Sequence, residues 1–182
     1  MKQRLMHACA FVGAVLFTLA AGSAGADAAS WDQTLTSSKR FVVLSNMNSE
    51  AVLDRETELV WQRSTSGNNS WPGGVASCQN ARTGGRFGWR LPTVQELGSL
   101  LDPNATSGPP LPLGHPFIGI PASAHFWTAT SSANNPGLIT PVGWGSAPPP
   151  ANFFVQVGAL SVGQDLSLGV WCVRGGLLAG PQ

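Results

Sequence analysis

Arg82, Arg86 and Arg90 recur every four residues, and a guanidinium grips a carboxylate or sulfate through two parallel hydrogen bonds. Glycines at 84, 85 and 88 keep the three off a single helical stripe, so a solvated loop with one buried arginine is the simpler reading. Arg82 and Arg86 are still the candidate ligand-binding cations, suited to an acidic polysaccharide. Stacking on sugar rings is the second available chemistry. Trp127 and Trp171 lie in apolar, strand-like runs and read as core, whereas Trp144, flanked by glycines in a loop, is the candidate for an exposed ring. His115 and His125 stand apart, with no acid at useful spacing and no convincing nucleophile. Ser131 and Ser132 lack a nucleophile-elbow context. No catalytic residue is assigned, no cofactor or metal is expected, and the expectation is a protein without enzymatic turnover. Asn68 and Asn104 head glycosylation sequons, a short pattern that chance produces often.

The cysteines point to a compartment. Cys9 lies inside an apolar N-terminal run that follows Lys2 and Arg4 and precedes Ala24-Gly25-Ala26, the pattern of a cleaved signal peptide over residues 1–26. The run is short for a membrane span, so no stable span is expected after cleavage; an uncleaved anchor is the alternative. Cys78 and Cys172 remain as an even pair in an oxidising compartment, which reads as a disulfide. Such a bond would close a loop of ~95 residues, worth ~4–5 kcal/mol in the chain-entropy model. A catalytic or zinc-binding thiol is the competing idea, and zinc would want further Cys or His at ligand spacing.

Removing Lys2 and Arg4 leaves eight Lys and Arg against nine Asp and Glu, a net charge of about −1. A general nucleic-acid binder would carry a basic excess, so no nucleic-acid partner is expected. Charged residues make up only 10% of the chain, and 22 Gly with 14 Pro imply many loops. Seven Trp and eight Phe within 43% hydrophobic residues are enough to bury one core.

The elements that must position these groups start from the stretch FGWRLPTVQEL, Phe87 to Leu97. Thr93 and Glu96 form a T-x-x-E capping box directly ahead of Val94, Leu97, Leu100 and Leu101, so a helix begins there and stops at Asp102-Pro103. Pro92 fixes the approach of the chain. Trp89 and Leu91 read as core, and Arg90 pairs with Glu96 or another acid, because an unpaired buried charge costs several kcal/mol. This motif, Trp89 to Thr93 with Glu96, is therefore structural.

Residues 27–40 form a polar leader, and FVVLSN, Phe41 to Asn46, reads as a strand. AVLDRETELVWQR reads as a hairpin with Val52 and Leu53 facing Leu59 to Trp61. STSGNNSWPGG is a loop whose Ser70 caps a helix through Val75, Cys78 and Ala81, ended by Gly84-Gly85. A long Pro/Gly-rich loop runs from Pro103 to Pro121, anchored by Phe117, Ile118 and Ile120. FWTATS, Phe126 to Ser131, alternates like a strand, and Asn134 to Pro150 is a second irregular excursion. Two closing strands, in ANFFVQVGAL and LGVWCVRGG, are joined by a turn at Gly163 to Asp165. The order is α+β.

DRETELVWQR, WRLPTVQEL, FWTATS and VWCVRGG occur in an order and spacing that resemble the Lcl C-terminal domain family, named for the Legionella collagen-like adhesin. The resemblance covers residues 41–176 and leaves 177–182 as a tail. It implies a C-type-lectin-like fold, related to that of the formylglycine-generating enzymes: two short helices, a small twisted antiparallel sheet and long loops. A disulfide from first helix to last strand is typical of that group, in agreement with Cys78 and Cys172. The calcium-binding tripeptides of sugar-binding C-type lectins (Glu-Pro-Asn, Gln-Pro-Asp, Trp-Asn-Asp) are absent, and no cysteine is left over for oxidase chemistry. The resemblance implies an exported adhesion domain that is secreted, periplasmic or on the cell surface. Its expected partner is an extracellular glycan, anionic by the arginine argument. A structural module of the envelope that binds protein or self-associates is the alternative.

Overall fold

A computed structural model describes residues 31–106, 108–145 and 166–175, with the backbone alone at 154–157 and 160–161. The expected signal peptide, the start of the leader, the turn at 163–165 and the tail at 177–182 lie outside the described residues. In chain order the elements are α1 (Ser37–Arg40), β1 (Phe41–Val43), β2 (Ala51–Asp54), β3 (Leu59–Gln62), β4 (Ser66–Asn69), α2 (Trp71–Asn80), α3 (Val94–Ser99), β5 (Ala124–Phe126), β6 (Ser131–Ser132), β7 (Asn135–Ile139), β8 (Val142–Gly145), β9 (Phe154–Val157), β10 (Leu160–Ser161), β11 (Leu168–Val170) and β12 (Val173–Arg174).

Among the described residues, three small sheets result, in the orders β1-β2-β3-β12, β10-β7-β6 and β4-β11-β5-β8-β9. Every pairing is antiparallel except β11 with β5, so the architecture is α+β, as the sequence predicts. The hairpin of β2 and β3 pairs Val52 with Trp61 and Leu53 with Val60, the predicted register. The chain passes from β11 into β12 through Trp171-Cys172 and so links two sheets.

Aromatic rings fill the space between these layers. Phe41 meets Phe117 edge-on at 5.3 Å, Phe117 meets Trp171 at 5.0 Å, and Trp171 touches both Trp61 and Phe126. Phe126 in turn lies 5.0 Å from Trp144. Buried indoles need acceptors for their N–H groups, and main-chain carbonyls supply them. Trp89 donates to Arg86, Trp127 to Asn69, Trp144 to Pro121 and Trp171 to Gln62. The Trp61 N–H has no partner among the described residues.

The disulfide joins Cys78 in α2 to Cys172, with the two Cα atoms 5.5 Å apart. Ser70 caps α2 by accepting from Gly73 N, with Pro72 in the first turn. The helix stops at Asn80, before the glycines expected to end it. Gly84 instead makes a tight turn at φ 61°, where an added Cβ would sit 2.4 Å from that of Met47. Only glycine fits there.

Four expectations are corrected. The fold begins inside the leader: Arg40 is buried, with Nε and Nη2 donating to Asp54 at 2.9 and 2.7 Å and Nε 3.2 Å from Glu56. Ser66 to Asn69, expected as loop, form the strand β4 by pairing with β11. The strand expected at Phe126 to Ser131 lies earlier, at β5; the chain leaves the ladder at Trp127 to bury that indole. The excursion from Asn134 contains β7 and β8, while its end at 146–150 is outside the described residues. Gly143 allows this: its β5 partner is His125, whose ring would lie 2.1 Å from any Cβ at 143.

Candidate functional site: two polar grooves beside one edge strand

The family motif comes first, because it sets the frame. Arg90 exchanges main-chain hydrogen bonds with Val173 at 2.9 Å in both directions, which fastens the stretch to β12. Its Nη1 and Nη2 donate to the two oxygens of Glu96 at 2.7 and 2.6 Å, and Nη2 also reaches Gly175 O. Thr93 Oγ1 accepts from Glu96 N, while Glu96 Oε2 accepts from Thr93 N, completing the capping box. Burial pushes the Glu96 carboxyl up, but the bonds from Arg90 and Thr93 outweigh it and hold the group below its ordinary value of 4.5. Trp89 and Leu91 are buried. The motif is scaffold throughout.

The candidate ligand residues do not form one site. Arg82 is exposed, but its Nη1 donates to the carbonyls of Asn80 and Ala81 at the end of α2. Its guanidinium also lies 4.1 Å over the ring of Phe87. Arg82 is thus a helix-end cap, a role that suits a cation at the negative end of the helix. Arg86 is exposed, and its side chain has no hydrogen bond or ion pair among the described residues. Trp144 is a correction: it lies in β8 at 0% exposure, because Phe126 and Pro121 O satisfy its face and its N–H. It cannot stack on a ligand. Trp71, half-buried, donates its N–H to Thr128 O.

Two open grooves lie elsewhere. The first, about 470 Å³, runs over β4, β5 and the start of β11, between Ser66, Asn68, Pro121, His125 and Ser167. Among the described residues, no Asp, Glu, Lys or Arg lines it. The second, about 420 Å³, lies between the end of β3, the turn at Thr83 and the loop at Ile118, and is lined by Glu50 and Arg63. Thr65 and Ser66 line both, so the two grooves adjoin. Both volumes fall in the range of small-molecule sites.

Core tryptophans hold the lips of the first groove. Trp127 Nε1 donates to Asn69 O at 2.7 Å, fixing β4, and Trp144 Nε1 donates to Pro121 O at 3.0 Å, fixing the end of the long loop. Gly67 on the groove wall has no atom within 4 Å of an added Cβ, which leaves the surface open above it. In the second groove, Arg63 Nε donates to Pro116 O at 3.1 Å and Nη1 to Ser49 O at 3.3 Å. Glu50 Oε2 accepts from Gly84 N at 2.6 Å.

The remaining chemistry-bearing groups are occupied or scattered. His115 Nδ1 accepts from Phe117 N at 3.2 Å, so the ring serves its own loop, and burial lowers its pKa from 6.5. Among the described residues, no three His, Cys, Asp or Glu side chains come together to hold a metal ion. None of them forms a helix long and apolar enough to cross a membrane. Arg63 and the groove escaped the sequence reading because no local pattern marks them. The one available signal was the polar, hydroxyl-rich run from Ser64 to Ser70.

Geometry thus defines a disulfide-pinned α+β domain with an open, polar, adjoining pair of grooves. Residues 50–174 match the Lcl C-terminal domain, and the chain belongs to that family. Family and disulfide together mark an extracellular, adhesin-associated domain. No curated protein and no solved structure matches the chain.

Proposed function

We propose that this domain is a non-enzymatic, lectin-like adhesion module that binds a glycan chain in the adjoining grooves. One observation carries the reading: two open grooves share Thr65 and Ser66 as lining residues, which sets them side by side along β4 and gives an extended ligand two neighbouring contact areas. Hydroxyls, an amide and exposed main chain in the first groove match the hydrogen-bonding needs of sugar hydroxyls. His115 is engaged within its own loop, and among the described residues no carboxylate partners His125. The anionic preference moves from Arg82, committed to capping α2, to the cation in the second groove.

A glycan array on the oxidised domain tests this, with Gly67→Trp as the control. That indole would fill the first groove from a position with no atom within 4 Å of its Cβ. Binding by the wild type and none by a folded Gly67→Trp is the expected result; equal binding by both would sink the groove assignment. A protein-binding envelope module is the second reading, favoured by Leu113, 97% exposed at the tip of the long loop. Self-association that Leu113→Ser abolishes, seen by light scattering, would favour it.

A further inference from the structure

Arg63 differs from the two arginines held in ion pairs. Arg40 meets the carboxylates of Asp54 and Glu56, and Arg90 meets Glu96. Arg63 is half-buried yet meets only the neutral carbonyls of Pro116 and Ser49, so three of its five N–H donors have no acceptor among the described residues. A guanidinium that has lost part of its hydration gains most from a partner of opposite charge. The two carbonyls already hold it in place, so little side-chain freedom is lost when a ligand arrives.

The surroundings limit what that ligand is. Glu50 lines the same groove, is exposed, and is tied by one oxygen to Gly84 N. Among the described residues, the first groove carries no Asp, Glu, Lys or Arg. A chain lying in both grooves therefore meets Arg63 and Glu50 in one of them and the neutral polar lining of the described residues in the other. A second anionic substituent near Glu50 would be repelled, which is how an interface rejects an over-charged competitor.

We infer that Arg63 is the subsite for a single oxyanion, carboxylate or sulfate, on a sparsely charged glycan whose neighbouring neutral residue lies in the first groove, with Glu50 selecting against densely charged chains. The inference rests on the reading of the grooves as a glycan site.

The test compares wild type, Arg63→Gln, Arg63→Lys and Glu50→Gln, each checked for a native near-ultraviolet circular dichroism spectrum. Calorimetry measures hyaluronan oligosaccharide (sparse carboxylate), a singly sulfated neutral oligosaccharide, heparin (dense sulfate) and dextran (neutral). In the wild type, at least one of the two sparsely charged chains should bind about tenfold more tightly than dextran, and which one does so separates carboxylate from sulfate. Arg63→Gln should abolish that advantage. Arg63→Lys should keep part of it, since an ammonium retains the charge without the planar fork. Glu50→Gln should raise heparin affinity several-fold more than hyaluronan affinity.

Equal affinity of wild type and folded Arg63→Gln for the charged chains overturns the subsite and leaves glycan binding standing. Heparin binding ahead of the sparsely charged chains, and unmoved by Glu50→Gln, overturns the selectivity. If the wild type binds none of the four, the glycan reading falls. Arg63 is then judged by its own Nε–H resonance: a saturable shift with glucuronate or sulfate sustains the anion subsite, and no shift overturns it. The same resonance decides the matter should Arg63→Gln fail to fold.

Discussion

Glu96 concentrates several roles in one side chain: it accepts from Arg90, closes the capping box on Thr93 N, and faces the core at the start of α3. Its carboxyl is held below its ordinary value, so its stabilising effect is complete above the unfolded value and is lost as pH falls through the folded one. Urea unfolding of the wild type should therefore weaken below about pH 4.5. In Glu96→Gln that part of the acid loss should be missing, on a lower stability at neutral pH. Thr93→Ala should cost ~1 kcal/mol, the usual worth of an N-cap, read from the urea midpoint. Both partners were legible in the sequence because a capping box is a local, fixed-spacing signal. Trp144 was not, since flanking glycines look alike in a loop and in a strand pressed against His125. Trp144→Phe puts a smaller phenyl ring in a fully buried site and removes the N–H to Pro121 O, so it should cost more than the ~1 kcal/mol of the hydrogen bond alone and weaken glycan binding by loosening the groove's lip. An unchanged affinity in calorimetry would separate the lip from the site.

The elements divide according to how far away their partners lie. The β2–β3 hairpin, the Ser70 cap of α2 and the start of α3 follow from residues within a few positions of each other, and they form where the sequence places them. The strand β4, by contrast, is Ser-Gly-Asn-Asn, poor in β-formers, and exists because it pairs with β11, about a hundred residues later. Strands β7 and β8 were hidden in the same way by Pro136, Gly137 and Gly143. Arg40 was assigned to the leader because its acids, Asp54 and Glu56, come from the hairpin beyond it. The disulfide was legible from cysteine count and compartment alone. It spans a separation of 94 residues and joins α2 to the junction of two sheets. Replacing both Cys78 and Cys172 with Ala should lower stability by ~4–5 kcal/mol, measured by urea unfolding without reductant.

For the molecule as a whole, the α+β class and the family were readable, because four short motifs in order survive in the sequence. The groove was not, because segments at 65–68, 121–126 and 167–169 meet only in the fold. That distance is also why the sequence favoured Arg82 and Arg86: they are neighbours on the chain, whereas Arg63 gains its setting from Ser49 and Pro116. The arrangement suits the proposed adhesion role: a core of interlocked indoles fixes the lips of a groove, while the groove itself carries the small polar side chains that the proposed glycan reading requires. Mapping amide chemical shifts in the isotope-labelled, oxidised domain decides whether that groove is the site, with hyaluronan and dextran oligosaccharides titrated separately. Shifts gathered at Ser66 to Asn68, His125-Phe126 and Leu168-Gly169 are the expected result. Shifts confined to the turn from Arg82 to Phe87, or absent with both glycans, would contradict it.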